Sequence, residues 1–400
     1  MNSLKGYILL AGLLLWLLPA SATHLVGGEF EVKHLPDGTY DVFLNVYFDA
    51  VSGDPGAEES SIVVSTFRKR DNVIVESFIV GRIGSTMVPY SDPACQRGDL
   101  QTKLIRYKAN RNMSPAQYGD PDGYYLVWER CCRNNGINNI RNPDAAGMVY
   151  YLEFPPVIRN NQPFINSTPV LGPVPADYLC VNELFTFDIN GKDADGDSLV
   201  YFLSTPLNGH TSRTNPSLSG LSAPYSPIIW ENGFNASQAI LGNPNLQINP
   251  QTGRLTVRPR FSGLFVFSIT CEEYRNGVKI GEVRREVQVR VLQCPTNTAP
   301  TVTLTKPDGT PYSVTDTLIV TDATDYCFEV EFTDPDRGQV LTLEAKPVNF
   351  TANPILSVTS ATVTDGGTIT KSRLCWPDCA INSPDKIYLI DLIVKDNGCS

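Results

Sequence analysis

Asp193, Asp195 and Asp197 stand at alternate positions in FDINGKDADGDSLVYFL, residues 187–203, with Asp188 and Asn190 just ahead of them. Carboxylates at i, i+2 and i+4 on a turn leaving a strand converge on one point, and Gly196 lets the backbone fold tightly there. Hard oxygens in that number suit Ca²⁺, which takes about 6–8 oxygen ligands at about 2.3–2.6 Å. The spacing is not that of an EF-hand. Counted from Asp193, Ser198 stands where that loop needs Gly and Ser204 where it needs Glu. A site here must be completed from a distant segment, and Glu272 and Glu273, at the end of a later predicted strand, are the natural donors. Asp334 and Asp336 hold the corresponding turn further on, with Asp396 as distant partner and Arg337 beside them. A structural Ca²⁺ held by Asp193, Asp195, Asp197 and Glu273, and by Asp334 and Asp336, is therefore expected. The competing reading is a solvated acidic turn whose Asp and Asn side chains accept nearby backbone N–H groups.

Other chemistry is poorly represented. LVGGE at 25–29 resembles the new N-terminus of a trypsin-like protease, but the histidines are only His24, His34 and His210, and no Ser sits in a Gly-rich turn. Cys375-Trp-Pro-Asp-Cys379 has no second Cys pair or His at zinc-ligand spacing. A copper site at His24 would need that residue first in the mature chain. Two carboxylates in a cleft suffice for glycoside hydrolysis, yet the aspartates here gather in repeat-equivalent turns. Nucleophile elbow, phosphate-binding Gly loop and metalloprotease helix are all missing from the sequence. The expectation is a protein that is not an enzyme. Tyr124, Tyr125 and Trp128 alternate in GYYLVWERCC, so Tyr125 faces opposite to the other two; packing in the core or sheet is the expected role, and stacking on sugar rings is the alternative.

The elements that must position the acidic turns are strands. The 400 residues are 42% hydrophobic and 18% charged, which suits packed cores, and 30 Pro with 30 Gly imply many turns. A net charge of −10 argues against nucleic acid, which needs a basic face. Period-two alternation marks strands in GTYDVFLNVYFDA (38–50), SIVVSTF, NVIVESFIV, GMVYYLEF, ELFTFDI, SLVYFLS, RLTVRP, GLFVFSITCEEY and REVQVRVL. Arg275-Asn276-Gly277 reads as a hairpin turn. Residues 1–22 read as a secretory signal: Lys5, an apolar run from Ile8 to Leu18, and Ala20-Ser21-Ala22 before the cut. That run is too short to span a bilayer, which takes about 20 apolar residues.

Pro- and Asn-rich stretches at 155–175 and 294–300 mark boundaries, so the domains expected are 23–157, 158–293 and 294–400. The third looks like a variant of the second. CVNELFTFDINGKDADGDSLVYFL corresponds to CFEVEFTDPDRGQVLTLEA, and GLFVFSITCEEYRNG to IYLIDLIVKDNG. The second has a closing strand, REVQVRVL, for which the third has no counterpart before Ser400. It is therefore expected to be incomplete, with the chain as the front part of a longer polypeptide. Ten cysteines in an exported chain suggest disulfides, and adjacent Cys131 and Cys132 are expected each to pair elsewhere.

FDINGKDADGDSLVY followed by INPQTGRLTVRPRFSGLFVFSIT resembles the Ig-like and cadherin-like repeats of bacterial surface proteins. The first part, with THLVGGEFEVKHLPDGTYDVFLNVYFDA and GYYLVWERCCRNNGINNI, resembles the N-terminal region of large exported Bacteroidetes proteins. Those typically end in a gliding-motility-associated C-terminal sorting domain and leave by type IX secretion. The resemblance implies an all-β chain of tandem Ig/cadherin-like β-sandwich modules, secreted or displayed at the cell surface, with a part in adhesion or gliding. Its partners would be extracellular polysaccharide or protein. A secreted polysaccharide-binding or polysaccharide-degrading protein is the alternative.

Overall fold

The computed structural model describes residues 25–398 apart from 175, 213, 216, 218, 307, 314–315, 317–326, 351–353 and 376–387. The expected signal peptide, Cys379 and Cys399 lie outside the described residues. The fold is all-β, and its helical pieces among those residues are short 3-10 turns. None is long and apolar enough to cross a membrane.

Strands form where apolar residues alternate. In β1 (Leu25–His34) and β2 (Tyr40–Asp49), Phe30 and Val32 and then Tyr40, Val42, Leu44, Val46 and Phe48 turn to one core. β3 (Ser61–Arg68) and β4 (Ile74–Met87) form a hairpin whose turn places Asn72 at a φ of 56°. β5 (Thr102–Arg111), β6 (Tyr124–Arg130) and β7 (Met148–Phe154) complete a ladder in the order β1-β2-β5-β4-β3-β6-β7. After a small hairpin of β8 (Ile158–Arg159) and β9 (Gln162–Pro163) come β10 (Leu179–Cys180), β11 (Phe185–Asp188) and β12 (Ser198–Ser204). β13 (Leu207–Asn208) pairs β14 (Ser226–Pro227), and β15 (Gln247–Ile248) joins β16 (Arg254–Val257) and β11 in a three-stranded sheet. β17 (Gly263–Arg275) and β18 (Val278–Leu292) are a long hairpin, turning at Asn276 and Gly277 with φ of 54° and 78°, as the Asn-Gly pair predicts.

β18 decides the architecture. One stretch of it pairs β7 (Val283 with Leu152) and the next pairs β1 (Val287 with Gly27), so both ends of the seven-strand ladder lie against one strand. A Cβ at Gly27 would stand 2.0 Å from the Glu286 carbonyl oxygen, so this close pairing requires glycine. The buried core is continuous across both expected domains, from Phe30, Leu44 and Leu126 to Ile189, Leu255 and Ile269. The described residues from Leu25 to Gln293 are therefore one compact unit, and the boundary expected at 157/158 is not a domain boundary. The Pro- and Asn-rich stretch there is a crossing segment pinned to β1, with Thr168 N–H on the Val32 carbonyl and Val32 N–H on Thr168 Oγ1. The second unit begins at Cys294, where the sequence places its other boundary.

That unit runs β19 (Thr301–Thr305), β20 (Cys327–Thr333), β21 (Val340–Pro347), β22 (Ile355–Leu356), β23 (Ser360–Thr362), β24 (Thr370–Cys375) and β25 (Ile390–Lys395). Its sheets are β19-β20-β24-β22 and β23-β21-β25, around Val330, Phe332, Leu341, Leu343, Val363 and Leu374. Cys327 and Cys375, register partners on β20 and β24, are bonded. Cys95, Cys180 and Cys294 are also in disulfides. Cys131 and Cys132 are bonded to each other, contrary to the expectation that each pairs elsewhere.

Candidate cation-binding site

The acidic turn leaves β11 and enters β12, and the register of β12 on β17 sets what it meets. Leu199 lies opposite Glu273 and Ser198 opposite Tyr274, so the end of β17 comes alongside the turn. Successive side chains on a strand point to opposite faces, which separates the two candidate glutamates. Glu272 is engaged by Lys279 at 2.7 Å and the Tyr274 hydroxyl at 2.8 Å. Glu273 faces inward and is 0% exposed. Gly281 sits opposite it on β18; a Cβ there would meet Glu273 Oε2 at 3.2 Å and the Glu153 carbonyl oxygen at 2.7 Å.

One carboxylate oxygen from each of Asp193, Asp195 and Asp197 lies within 4.8 Å of the others. Much of the repulsion is relieved locally. Asp193 Oδ1 accepts the Asp195 and Asp197 N–H groups at 3.0 and 2.8 Å, and Asp195 Oδ2 accepts Ser167 N–H at 2.6 Å. The Arg275 guanidinium grips Asp197 at 2.8 and 2.5 Å, with Asp195 at 3.9 Å, and also donates to Asn166 Oδ1 and the Ile165 carbonyl. Three buried oxygens remain without a hydrogen-bond partner: Asp193 Oδ2 and both oxygens of Glu273. Burial pushes the Glu273 carboxyl up to about 9, and Asp193 and Asp197 add to the rise; Asn166 stands near enough to oppose it in part. The hydrogen bond to Asp197 chiefly raises the Arg275 pKa. Four carboxylates thus face one guanidinium.

That donor set fits a hard divalent cation. Asp193, Asp195 and Asp197 offer oxygens in one cluster, although Asp197 is also held by Arg275, and Glu273 stands close enough for the charges of Asp193 and Asp197 to act on it. Asp188 stands apart in an exposed pair with Arg254 at 2.8 Å, and Asn190 adopts a φ of 49° in the turn.

The second unit repeats the arrangement on a smaller scale. Asp334, 0% exposed, accepts Asp336 N–H on Oδ1 at 2.6 Å and leaves Oδ2 buried without a partner. Asp336 Oδ2 accepts Thr298 N–H at 2.5 Å. Asp396, just after β25, accepts Asn297 Nδ2 at 3.1 Å and Gly398 N–H at 2.8 Å. Burial raises the Asp334 pKa; the Asp336 N–H opposes it, and the nearby charges of Asp396 and Asp336 add to it. Arg337 points elsewhere, to Asp365 at 3.4 Å.

Sequence reasoning missed Arg275, Asn166 and Ser167. A signal for the last two was present: Asn-Ser-Thr-Pro at 166–169 and Asn-Thr-Ala-Pro at 297–300 precede the two acidic turns alike. The β6 aromatics are packed, as expected, and leave no face for sugar rings. Trp128 packs on Tyr150 at 4.9 Å, and Tyr125 stacks between Phe67 and Tyr151, both at 5.3 Å, with its hydroxyl accepting Ala223 N–H. All three β6 aromatics are at most 5% exposed. The chain matches no protein-family model, no curated protein and no solved structure.

Proposed function

We propose that this chain is an exported structural or adhesive protein of the cell surface, whose β units are stiffened by disulfides and by Ca²⁺ at the acidic turns. The observation that carries the cation is Glu273: a wholly buried carboxylate with both oxygens unbonded, beside Asp193 Oδ2 in the same condition. A lone charge so placed is costly to bury, and a divalent ion is the partner that four carboxylates ask for. The recurrence of a buried, half-bonded aspartate at Asp334 supports a repeated structural use over a single reactive centre. Disulfides fit an oxidising compartment. The work of the metal is mechanical: it ties together the 165–168 segment, the turn before β12 and the β17–β18 hairpin. Surface display and a part in gliding or attachment rest on the sequence resemblance.

The test is Ca²⁺ titration of chelator-treated residues 23–400 by calorimetry, beside Glu273→Gln and Asp193→Asn. Extracellular sites of this kind bind at about 10⁻⁴–10⁻³ M. Saturable binding in that range, lost in Glu273→Gln, is expected; heat of binding unchanged by both substitutions would refute the site. Adhesion of beads coated with the protein to the producing cells, reversed by chelator, tests the surface role.

A further inference from the structure

The second unit has an open sheet edge. β25 ends the β23-β21-β25 sheet, and among the described residues no strand pairs with its outer side. Leu389 and Lys395 turn their carbonyls to the β21 side, toward Val348 N–H at 2.9 Å and Thr342 Oγ1 at 3.5 Å. By alternation, Leu392 and Val394 turn their N–H and C=O groups to the open edge. Their side chains pack on the core but are only half-buried, whereas Leu341 and Leu343 on the neighbouring β21 are 0% and 3% exposed. An edge of this kind is a template for another strand unless proline, a bulge or a very short length blunts it. β25 has six residues, no proline and an unbroken register with β21. Elsewhere the edges are poorer templates. β22 and β23 have two and three residues, β19 carries no charge, and on β12 the Tyr201 N–H is taken by the Pro250 carbonyl.

We propose that β25 is a homodimer interface, pairing edge to edge with β25 of a second copy in a two-fold antiparallel ladder. The charges on the strand select that occupant. Asp391, Ile393 and Lys395 share its outer face, and among the described residues neither charge has an ion pair within the chain; Lys346, opposite Asp391 on β21, is taken by Glu344 at 3.2 Å. Leu392 facing the partner's Val394, with backbone bonds exchanged, sets Asp391 against the partner's Lys395 on both sides of a central Ile393 pair. Sliding to Leu392 against Leu392 would set Asp391 against Ile393 and lose both charge pairs, so charge fixes the register. The proposal goes beyond the cation's role and does not rest on it. A contact of one short strand belongs to the small, transient class of interfaces. Sedimentation equilibrium of residues 23–400 at about 10–300 µM is therefore expected to show monomer and dimer in exchange, with a Kd of about 10⁻⁴ M. Asp391→Lys and Lys395→Asp each set like charges face to face and should weaken the dimer at least about tenfold. Mixed in equal amounts, the two variants regain opposite charges at both pairs and associate with each other as tightly as the wild type. Both positions are exposed, so the variants keep the wild-type melting temperature. A wild type that is monomeric at about 300 µM, single variants that dimerise undiminished, or a mixture that stays monomeric would each overturn the proposal.

Discussion

Glu29 on β1 and Arg285 on β18 lie 256 residues apart in the chain and meet in a two-point ion pair, both bonds at 2.8 Å, with side chains 4% and 0% exposed. The pair locks the first strand of the expected N-terminal domain to the last strand of the expected second one. Residues 23–157 alone would lose β18 from two strand edges and leave Glu29 without its cation. That fragment is expected to show no cooperative transition by calorimetry, whereas 23–293 unfolds as one unit. A sharp transition in 23–157 would show that the shared sheet is dispensable.

Removing half of that pair tests its energetics. Arg285 also donates to the Gly172 and Leu171 carbonyls, so Arg285→Met strands an acid and two acceptors together. Breaking a buried pair from one side costs about 3–5 kcal/mol, while replacing both partners by apolar residues is often near neutral. Urea denaturation should therefore find Arg285→Met destabilised by that amount and Glu29→Leu/Arg285→Met substantially recovered. A double variant no better than the single one would locate the loss in the Gly172 and Leu171 carbonyls.

These long-range pairs mark where the sequence stopped being readable. Strands with clear alternation, such as β2, and the Asn276-Gly277 turn are local features, and they lie where the residues predict. So does the acidic turn, because Asp-Ala-Asp-Gly-Asp states its own geometry. The completing residue was half legible: a strand end carrying Glu272 and Glu273 is visible, but only the register against Leu199 selects Glu273. Pairing of β18 with both β1 and β7 has no local signature. A Pro- and Asn-rich stretch looks the same whether it links two domains or crosses one sheet. The cover on the far face of β6 was equally hidden, since it comes from near residue 223, where Ala223 N–H meets the Tyr125 hydroxyl.

Glu273 makes the metal-free protein sensitive to pH in a defined direction. Its carboxyl titrates near 4.5 when exposed and is pushed up to about 9 by burial in the fold. Between those values the folded chain holds a proton that the unfolded chain has released, so stability falls as pH rises through the window and levels off above it. In chelator, the wild type should lose stability relative to Glu273→Gln from pH 5 to pH 9, by a few kcal/mol in all. Saturating Ca²⁺ should remove most of that difference, raising Tm by about 3–8 °C at neutral pH for a site of Kd about 10⁻⁴–10⁻³ M in about 10 mM ion. Parallel pH profiles for wild type and variant would sink the assignment.

Cys271 provides an internal reporter of the same region. It is a free, buried thiol two residues before Glu273 on the same face of β17, and burial pushes it up to about 12, with Tyr201 opposing and Glu273 adding to the rise. Since the thiolate is the reactive form, roughly one molecule in 10⁴ carries it at pH 8 in the fold. Iodoacetamide should therefore leave Cys271 untouched in the native protein and modify it only through opening of β12 from β17. Bound cation opposes that opening, so the labelling rate, read by mass spectrometry, is expected to fall about 10–100-fold from chelator to Ca²⁺. Asp193→Asn should label at the chelator rate in both conditions. Equal rates for the wild type with and without Ca²⁺ would mean that no cation bears on the β12–β17 pairing.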